Sequence, residues 1–350
     1  MTEFFYGFIN GQLTWLQWVL FLMATVIGFI LLVKCADVFV DSASNIAKIF
    51  KIPAIVVGLT IVAFGTSAPE ASVSITGAIN GSNGISIGNI IGSNLFNLFF
   101  VLAVSALISP VAIKRYLVKR DLMMMLISSL LMVAFLFLFP SNGQPALVWF
   151  EGLILLVIFI IYLVVMIKKE IKQSKIKMHV VSKEYAEEEF NVSTKKQNGW
   201  LSFLFLVLSL IGIVVGGTFV NVGAKGIVVN IGASETLAGL TVCAIGTSLP
   251  ELVTSLVAMK KNENDIAVGN VVGSNIFNIM LILGSCALIV PQSFDVFAMA
   301  DIIIMAVLFI VFMIYAIFNN RLGKKMAISM IIMYVLYFAF IILREYVPII

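Results

Sequence analysis

Two glutamates sit where an apolar chain has little reason to hold a charge. Glu70 and Glu251 each lie well inside a hydrophobic run, and an acidic side chain at bilayer depth costs several kcal/mol unless something offsets it. Each follows a proline, which has no N–H for the carbonyl four residues back, Gly65 for Pro69 and Gly246 for Pro250. Carbonyls freed at that depth must be buried in protein, line a cavity or meet a ligand. Thr66 and Ser67 precede Glu70 by four and three residues, so the three share a face if the helix continues locally; Thr247, Ser248 and Glu251 repeat the pattern. In the next run Asn89, Ser93 and Asn97 recur every fourth residue as a polar stripe, copied by Asn270, Ser274 and Asn278. Gly88, Gly92, Gly269 and Gly273 beside the stripe would let backbones approach. Taken singly, each feature has a structural reading: a protonated or hydrogen-bonded acid, or amides and hydroxyls that glue helices together. Taken together they are carboxylates, hydroxyls, amides and carbonyls without clustered His or Cys, a set suited to a hard cation. Two carboxylates would neutralise one calcium ion or two sodium ions. The same oxygens can therefore be offered to either, which is the physical basis for exchange.

The elements that must position these residues are membrane helices. Apolar residues make up 61% of the chain, charged residues 11%, and mean hydropathy is +1.12, which excludes a soluble domain. A span uses roughly 20 apolar residues. Runs near residues 13–36, 52–79, 85–109, 119–139, 146–167, 200–224, 235–258, 266–290, 297–318 and 326–346 predict ten, and an even number leaves both termini on one side. Twenty of the 22 basic residues fall in one set of alternate connections, leaving only Lys225 and Arg344 for the other. That asymmetry predicts the basic set in the cytoplasm and both termini outside. The net charge of +4 thus orients the chain and implies no nucleic-acid partner. Residues 168–199, which mix basic residues with the acidic run 184–189, read as a solvated cytoplasmic linker. Cys35, Cys243 and Cys286 have no ligand-like spacing and read as small buried hydrophobes. The first eleven residues carry Glu3, no basic residue and no following cleavage site, and read as mature sequence.

Residues 58–70, GLTIVAFGTSAPE, and 239–251, GLTVCAIGTSLPE, agree at nine of 13 positions. The same offset of 181 carries GNIIGSNLFN at 88–97 onto GNVVGSNIFN at 269–278, and Pro110 onto Pro291, so the chain holds an internal repeat. Five spans per half force the second copy to enter the membrane from the opposite side, as in secondary transporters whose site lies at the midplane between halves. The predicted layout is a first five-helix repeat at 1–167, the linker at 168–199 and an inverted second repeat at 200–350.

The paired GTSAPE and GTSLPE motifs with their GSN-x-FN partners resemble the cation/calcium exchanger superfamily, in its sodium/calcium exchanger branch, over both repeats but not the central loop. Proton-coupled members typically carry an Asn-Ala-Thr-Glu type motif at the Glu position, which is absent here. The resemblance implies an all-α integral membrane protein of about ten helices in two inverted repeats. It implies that Glu70 and Glu251 coordinate calcium and share sodium sites, with backbone carbonyls from Thr66 and Thr247. Ser67, Ser93, Ser248 and Ser274 would complete the sodium sites with carbonyls of Ala63 and Ala244, and Asn97 and Asn278 would sit at the centre. An acid at the Asn278 position is linked to potassium co-transport in one branch, so the amide implies potassium independence. The implied activity is electrogenic exchange of three sodium ions for one calcium by alternating access in the cytoplasmic membrane. Transported Ca2+ and Na+ and the lipid bilayer are the expected partners, with no cofactor, no protein partner and a monomeric state.

Competing readings are a proton-coupled calcium antiporter and a passive cation channel lined by the same oxygens. A membrane enzyme is disfavoured: Ser67 and Ser248 lack a nearby base and the sole histidine, His179, falls in the linker. Asp37, Asp121, Glu151 and Asp301 are expected near span ends, close to water, with Asp37 and Asp41 as candidate ion guides. Met123, Met124 and Met125 are expected to face lipid or pack.

Overall fold

The computed structural model describes residue 9 and residues 14–50, 52–81, 83–138, 145–181, 199–230 and 244–346. In the first half these form α1 (Thr14–Phe50), α2 (Ala54–Thr66), α3 (Ala68–Ile79), α4 (Asn83–Ile108), α5 (Arg115–Phe137) and α6 (Trp149–Val181). In the second they form α7 (Gly199–Asn230), α8 (Ala244–Thr247), α9 (Leu249–Lys260), α10 (Asn264–Ile289), α11 (Val296–Phe318) and α12 (Lys324–Tyr346). Among the described residues eight helices are long and apolar enough to cross a bilayer, and the bent pair α2–α3 makes a ninth. The expected span at 235–258 lies outside the described residues before Ala244.

Two helices outrun their expected ends. α1 has 37 residues, about 55 Å at 1.5 Å per residue against a hydrocarbon core of about 30 Å. Lys34 and Lys48 therefore lie on this helix and not in a connection. Likewise α6 continues through His179 to Val181, into the segment read as linker. The reason is the same in both: hydropathy marks where the apolar run stops, whereas Lys, Glu and Ala remain good helix formers beyond it. The linker from 182 to 198 lies outside the described residues.

Apolar side chains such as Trp15, Phe29, Ile160, Phe318 and Leu336 are exposed on the outer surface, an arrangement that suits lipid as solvent. The interior belongs to α4 and α10, each with 78% of its apolar stretch buried. Close helix contact depends on glycine. A Cβ on Gly28 of α1 would lie 2.7 Å from the Gly216 carbonyl of α7, and one on Gly269 of α10 would lie 2.8 Å from the Ile55 carbonyl of α2; only a hydrogen fits. Gly273 is as tightly placed, against Leu59, whereas Gly88 has no such neighbour among the described residues. Two short antiparallel pairings join the halves at their connections: Val111–Ala112 with Arg321–Leu322, and Ala146–Leu147 with Gln292–Ser293. Cys35 packs on Gly212 and Cys286 is buried, both as free thiols; Cys243 lies outside the described residues.

Of the four acids expected beside water, Asp37 is exposed, while Asp121, Glu151 and Asp301 are buried. Asp121 is fully buried, taking Arg120 Nε and Nη2 at 2.7 and 2.9 Å and the Tyr162 hydroxyl at 2.8 Å, while Glu170 of α6 pairs with Arg120 Nη1. Asp301 takes both Arg344 Nη atoms, at 2.8 and 2.7 Å. Glu151 is buried and accepts the Val148 N–H at 2.9 Å. Packing supplies the partners that water would otherwise provide, as buried charges require. Asp37 and Asp41 are both held by Lys261, at 2.9 and 2.7 Å. Met123 is exposed, while Met124 and Met125 are buried.

Candidate ion-binding site

Each glutamate opens a helix at a break. Ser67 separates α2 from α3, which meet at 48°, and Ser248 separates α8 from α9. Their backbones match each other, at φ −81°, ψ 7° and φ −90°, ψ 5°, the conformation common in the second central residue of a turn. Pro69 and Pro250 follow as second residues of the new helices, where a missing N–H has no intrahelical carbonyl to serve. The prolines therefore begin helices and do not merely interrupt them. Glu70 and Glu251 fall in the first turns, at the positive end of the helix dipole.

The helix does not continue straight through Ser67, so the condition for Thr66, Ser67 and Glu70 to share one continuous face is not met. Their side chains bond to the opposite half instead. Ser67 Oγ donates to Glu251 Oε1 at 3.0 Å, and Ser248 Oγ donates to Glu70 Oε1 at 3.0 Å. Thr66 Oγ1 donates to Asn270 Oδ1 at 2.9 Å, and Thr247 Oγ1 to Asn89 Oδ1 at 3.1 Å. Asn89 Nδ2 in turn donates to the Glu70 carbonyl at 3.3 Å and to Ser74 Oγ at 2.9 Å; Asn270 Nδ2 does the same with the Glu251 carbonyl at 3.3 Å and Ser255 Oγ at 3.0 Å. Both amides, oxygen and NH2 alike, are thus committed to bracing the breaks.

The remaining stripe residues are buried with atoms to spare. Ser274 Oγ donates to Glu251 Oε1 at 3.3 Å. Ser93 Oγ, both amide atoms of Asn97, and Asn278 Oδ1 are buried without a hydrogen-bond partner among the described residues. The same holds for Glu70 Oε2 and Glu251 Oε2, so each carboxylate is held by one oxygen and leaves the other unpartnered. Buried polar atoms of this kind are costly unless a ligand or water meets them. Asn97 and Asn278 each open a π-helical turn, at Asn97–Val101 and Asn278–Leu283, a local widening frequent at functional sites. The Ala63 carbonyl accepts the Ser67 N–H at 3.0 Å and lies 3.5 Å from Thr66 Oγ1; Ala244 opens α8. Among the described residues no three His, Cys, Asp or Glu converge. The site's charge is therefore two carboxylates, and its other oxygens are neutral.

A family model described as sodium/calcium exchanger protein matches residues 17–168 and 201–343. The chain belongs to the sodium/calcium exchanger family. It is 34% identical over 290 residues to sodium/calcium exchanger MaX1 of Methanosarcina acetivorans, covering 76% of this chain and 82% of that one. It is also 34% identical over 290 residues to inner membrane protein YrbG of Escherichia coli, covering 82% and 86%. A solved structure of the sodium-calcium exchanger NCX_Mj, soaked with 2.5 mM Na+ and 0.1 mM Ca2+, aligns at TM-score 0.74 and 32% identity over 92% of this chain and 98% of that one. The chain is a multi-pass membrane protein of this exchanger family, and the enzyme reading falls away.

Three buried asparagines near these residues were not singled out by the sequence pattern. Asn94 and Asn275 lie beside the stripe and bond each other's helices. Asn221 of α7 lies against Gly246, where a Cβ would come within 3.0 Å of its Cγ, and its buried Oδ1 has no partner among the described residues. The only sequence signal for the first two is the repeated GSN, whose Asn recurs at the offset of 181.

Proposed function

We propose that this chain is a sodium-driven calcium antiporter in which both ions compete for the oxygens around Glu70 and Glu251. The observation that carries the reading is the reciprocal exchange of hydroxyls: Ser67 holds Glu251 and Ser248 holds Glu70, leaving Glu70 Oε2 and Glu251 Oε2 buried and unpartnered. Each half supplies one carboxylate and steadies the other's, so a cation bound between them ties the halves together. Movement of one half against the other would then open the site to alternate sides. The ligand set is Glu70, Glu251, Ser67, Ser248, Ser93, Ser274, Asn97 and Asn278, with backbone carbonyls from Ala63, Thr66, Ala244 and Thr247.

Two carboxylates balance one calcium ion or two sodium ions. A third sodium would sit on neutral oxygens such as Ser93 and Asn97, and exchange of three sodium ions for one calcium would move net charge. The amide at 278 supplies no further acid, in keeping with potassium independence. The basic-residue asymmetry supports two inverted five-helix repeats, at 1–167 and 200–350, with both termini outside and residues 168–199 on the cytoplasmic side of the cell membrane. The protein works as a monomer without a cofactor.

The test is radioactive-calcium uptake by purified protein in sodium-loaded liposomes, with a valinomycin-set voltage. Uptake that requires internal sodium and responds to voltage is expected. Uptake driven only by a proton gradient would assign proton coupling, and a leak that no gradient can drive uphill would assign a channel.

A further inference from the structure

Where α4 and α10 cross, an amide pair ties them at the centre of the molecule. Asn94 Nδ2 donates to the Asn275 carbonyl at 3.4 Å, and Asn275 Nδ2 donates to the Asn94 carbonyl at 3.2 Å. A carbonyl oxygen only accepts, so the Asn94 amide has one permitted orientation, with its NH2 towards the Asn275 carbonyl and its Oδ1 turned away from that carbonyl. That Oδ1 accepts Asn278 Nδ2 at 3.1 Å. By the same reasoning Asn278 must give its NH2 to Asn94, which turns its own Oδ1 away from Asn94. This Oδ1 is fully buried and has no hydrogen-bond partner among the described residues. One backbone carbonyl thus dictates, through two amides, which atom Asn278 presents. Asn278 follows Ser274 by four residues on the same face of α10, and Ser274 is bonded to Glu251.

The mirror-image relay is incomplete. Asn275 Oδ1, the counterpart of Asn94 Oδ1, has no partner among the described residues, and Asn97, the counterpart of Asn278, has neither amide atom bonded. The two-fold pattern that holds at the glutamates is therefore broken on the axis itself. One central amide is locked and the other is free to turn.

We propose that Asn94 is a positioning residue for ion binding: it locks the Asn278 amide so that the site receives an oxygen at 278, while Asn97 provides the adjustable amide. This rests on the exchange reading of the Glu70 and Glu251 site. A cation needs an acceptor, and an NH2 turned inward would oppose it. Without the lock the orientation with NH2 turned inward is favoured, because it can donate to the site's buried acceptors, and a cation must displace it at about the cost of one hydrogen bond.

The experiment is a double-variant cycle read as half-saturating calcium for sodium-driven uptake, using Asn94→Leu, Asn278→Leu, the pair together, and Asn275→Leu. Leucine approximates the shape of asparagine but neither donates nor accepts. Asn94→Leu is expected to raise half-saturating calcium about 5- to 10-fold, the worth of one oriented hydrogen bond, with little change in maximal rate. In the Asn278→Leu background it should add less than about twofold, because residues acting through one group are not additive. Asn275→Leu loses the same kind of interhelix bond outside the relay. It should lower Tm while keeping half-saturating calcium within about twofold of wild type. Additive effects in the double variant, or a rise in Asn275→Leu equal to that in Asn94→Leu, would overturn the relay. If Asn94→Leu does not fold, Asn94→Asp decides: its carboxylate still accepts from Asn278, so half-saturation should stay at or below wild type, and a rise overturns the proposal. Wild-type protein without sodium-driven uptake would refute the exchange reading instead, and equilibrium calcium binding to the same purified variants would still read the relay.

Discussion

Glu251→Gln tests the site most directly, because it changes charge and little else. The glutamine carbonyl can still accept the Ser67 and Ser274 hydroxyls that Glu251 Oε1 takes at 3.0 and 3.3 Å, so the break between α8 and α9 keeps its braces. What disappears is one negative charge at the buried Oε2, which has no protein partner among the described residues. With an effective permittivity of about 20, a carboxylate about 2.5 Å from a divalent ion contributes roughly 13 kcal/mol of gross attraction, and half that for a monovalent ion. Desolvation cancels most of it. If about a third survives, calcium loses about 4 kcal/mol, or about a thousandfold in affinity, while a sodium ion loses about 2 kcal/mol, or about thirtyfold. The assay is equilibrium binding of radioactive calcium and sodium to the purified variant, with a thermal melt to show that it is folded. Calcium transport should be lost and calcium binding should weaken far more than sodium binding. Calcium affinity within about threefold of wild type in a folded variant, in both Glu251→Gln and Glu70→Gln, would refute the electrostatic reasoning.

Ser67→Ala and Ser248→Ala each remove one hydroxyl from a carboxylate of the opposite half, and each should weaken calcium binding by about tenfold. Because Glu251 Oε1 keeps the Ser274 hydroxyl when Ser67 is removed, whereas Ser93 Oγ is unbonded among the described residues, Ser248→Ala should have the larger effect, and the reverse order would count against reciprocal bracing. Arg120→Met leaves Asp121 fully buried without its bidentate partner and should destabilise the protein by about 3–5 kcal/mol. Adding Asp121→Asn should recover much of that loss in a thermal or denaturant melt, and no recovery would refute the pairing argument. Pro69→Ala restores an N–H where α2 and α3 meet at 48°. It should slow exchange while the protein stays folded, and unchanged turnover would show that the bend does not depend on the proline.

The local pattern of the chain carried most of the architecture. Runs of apolar residues located the spans because the bilayer solvates only such surfaces. The 181-residue offset located both motifs because each half must fold by the same local rules. Glu70 and Glu251 stood out for a similar reason, since an acid in an apolar run needs a partner wherever it finally lies. Helix ends were less legible: α1 and α6 continue past their apolar runs because helix propensity does not stop where hydropathy does. Asp121 and Asp301 looked like residues near water, and only packing brought Tyr162 and Glu170 to the neighbouring Arg120–Asp121 pair and Arg344 to Asp301.

Which hydroxyl steadies which carboxylate was decided by the tertiary structure alone. The sequence placed the site between the halves but not its pairings: spacing of three and four residues put each hydroxyl and carboxylate on one face only if the helix continued, and the turns at Ser67 and Ser248 send those hydroxyls to the other half. Asn94 shows the limit most clearly. Nothing in its spacing separates it from a packing residue, because its role depends on a backbone carbonyl 181 positions away. Sequence periodicity reports what one helix presents to its surroundings; the partner it meets there is a property of how the two halves are packed.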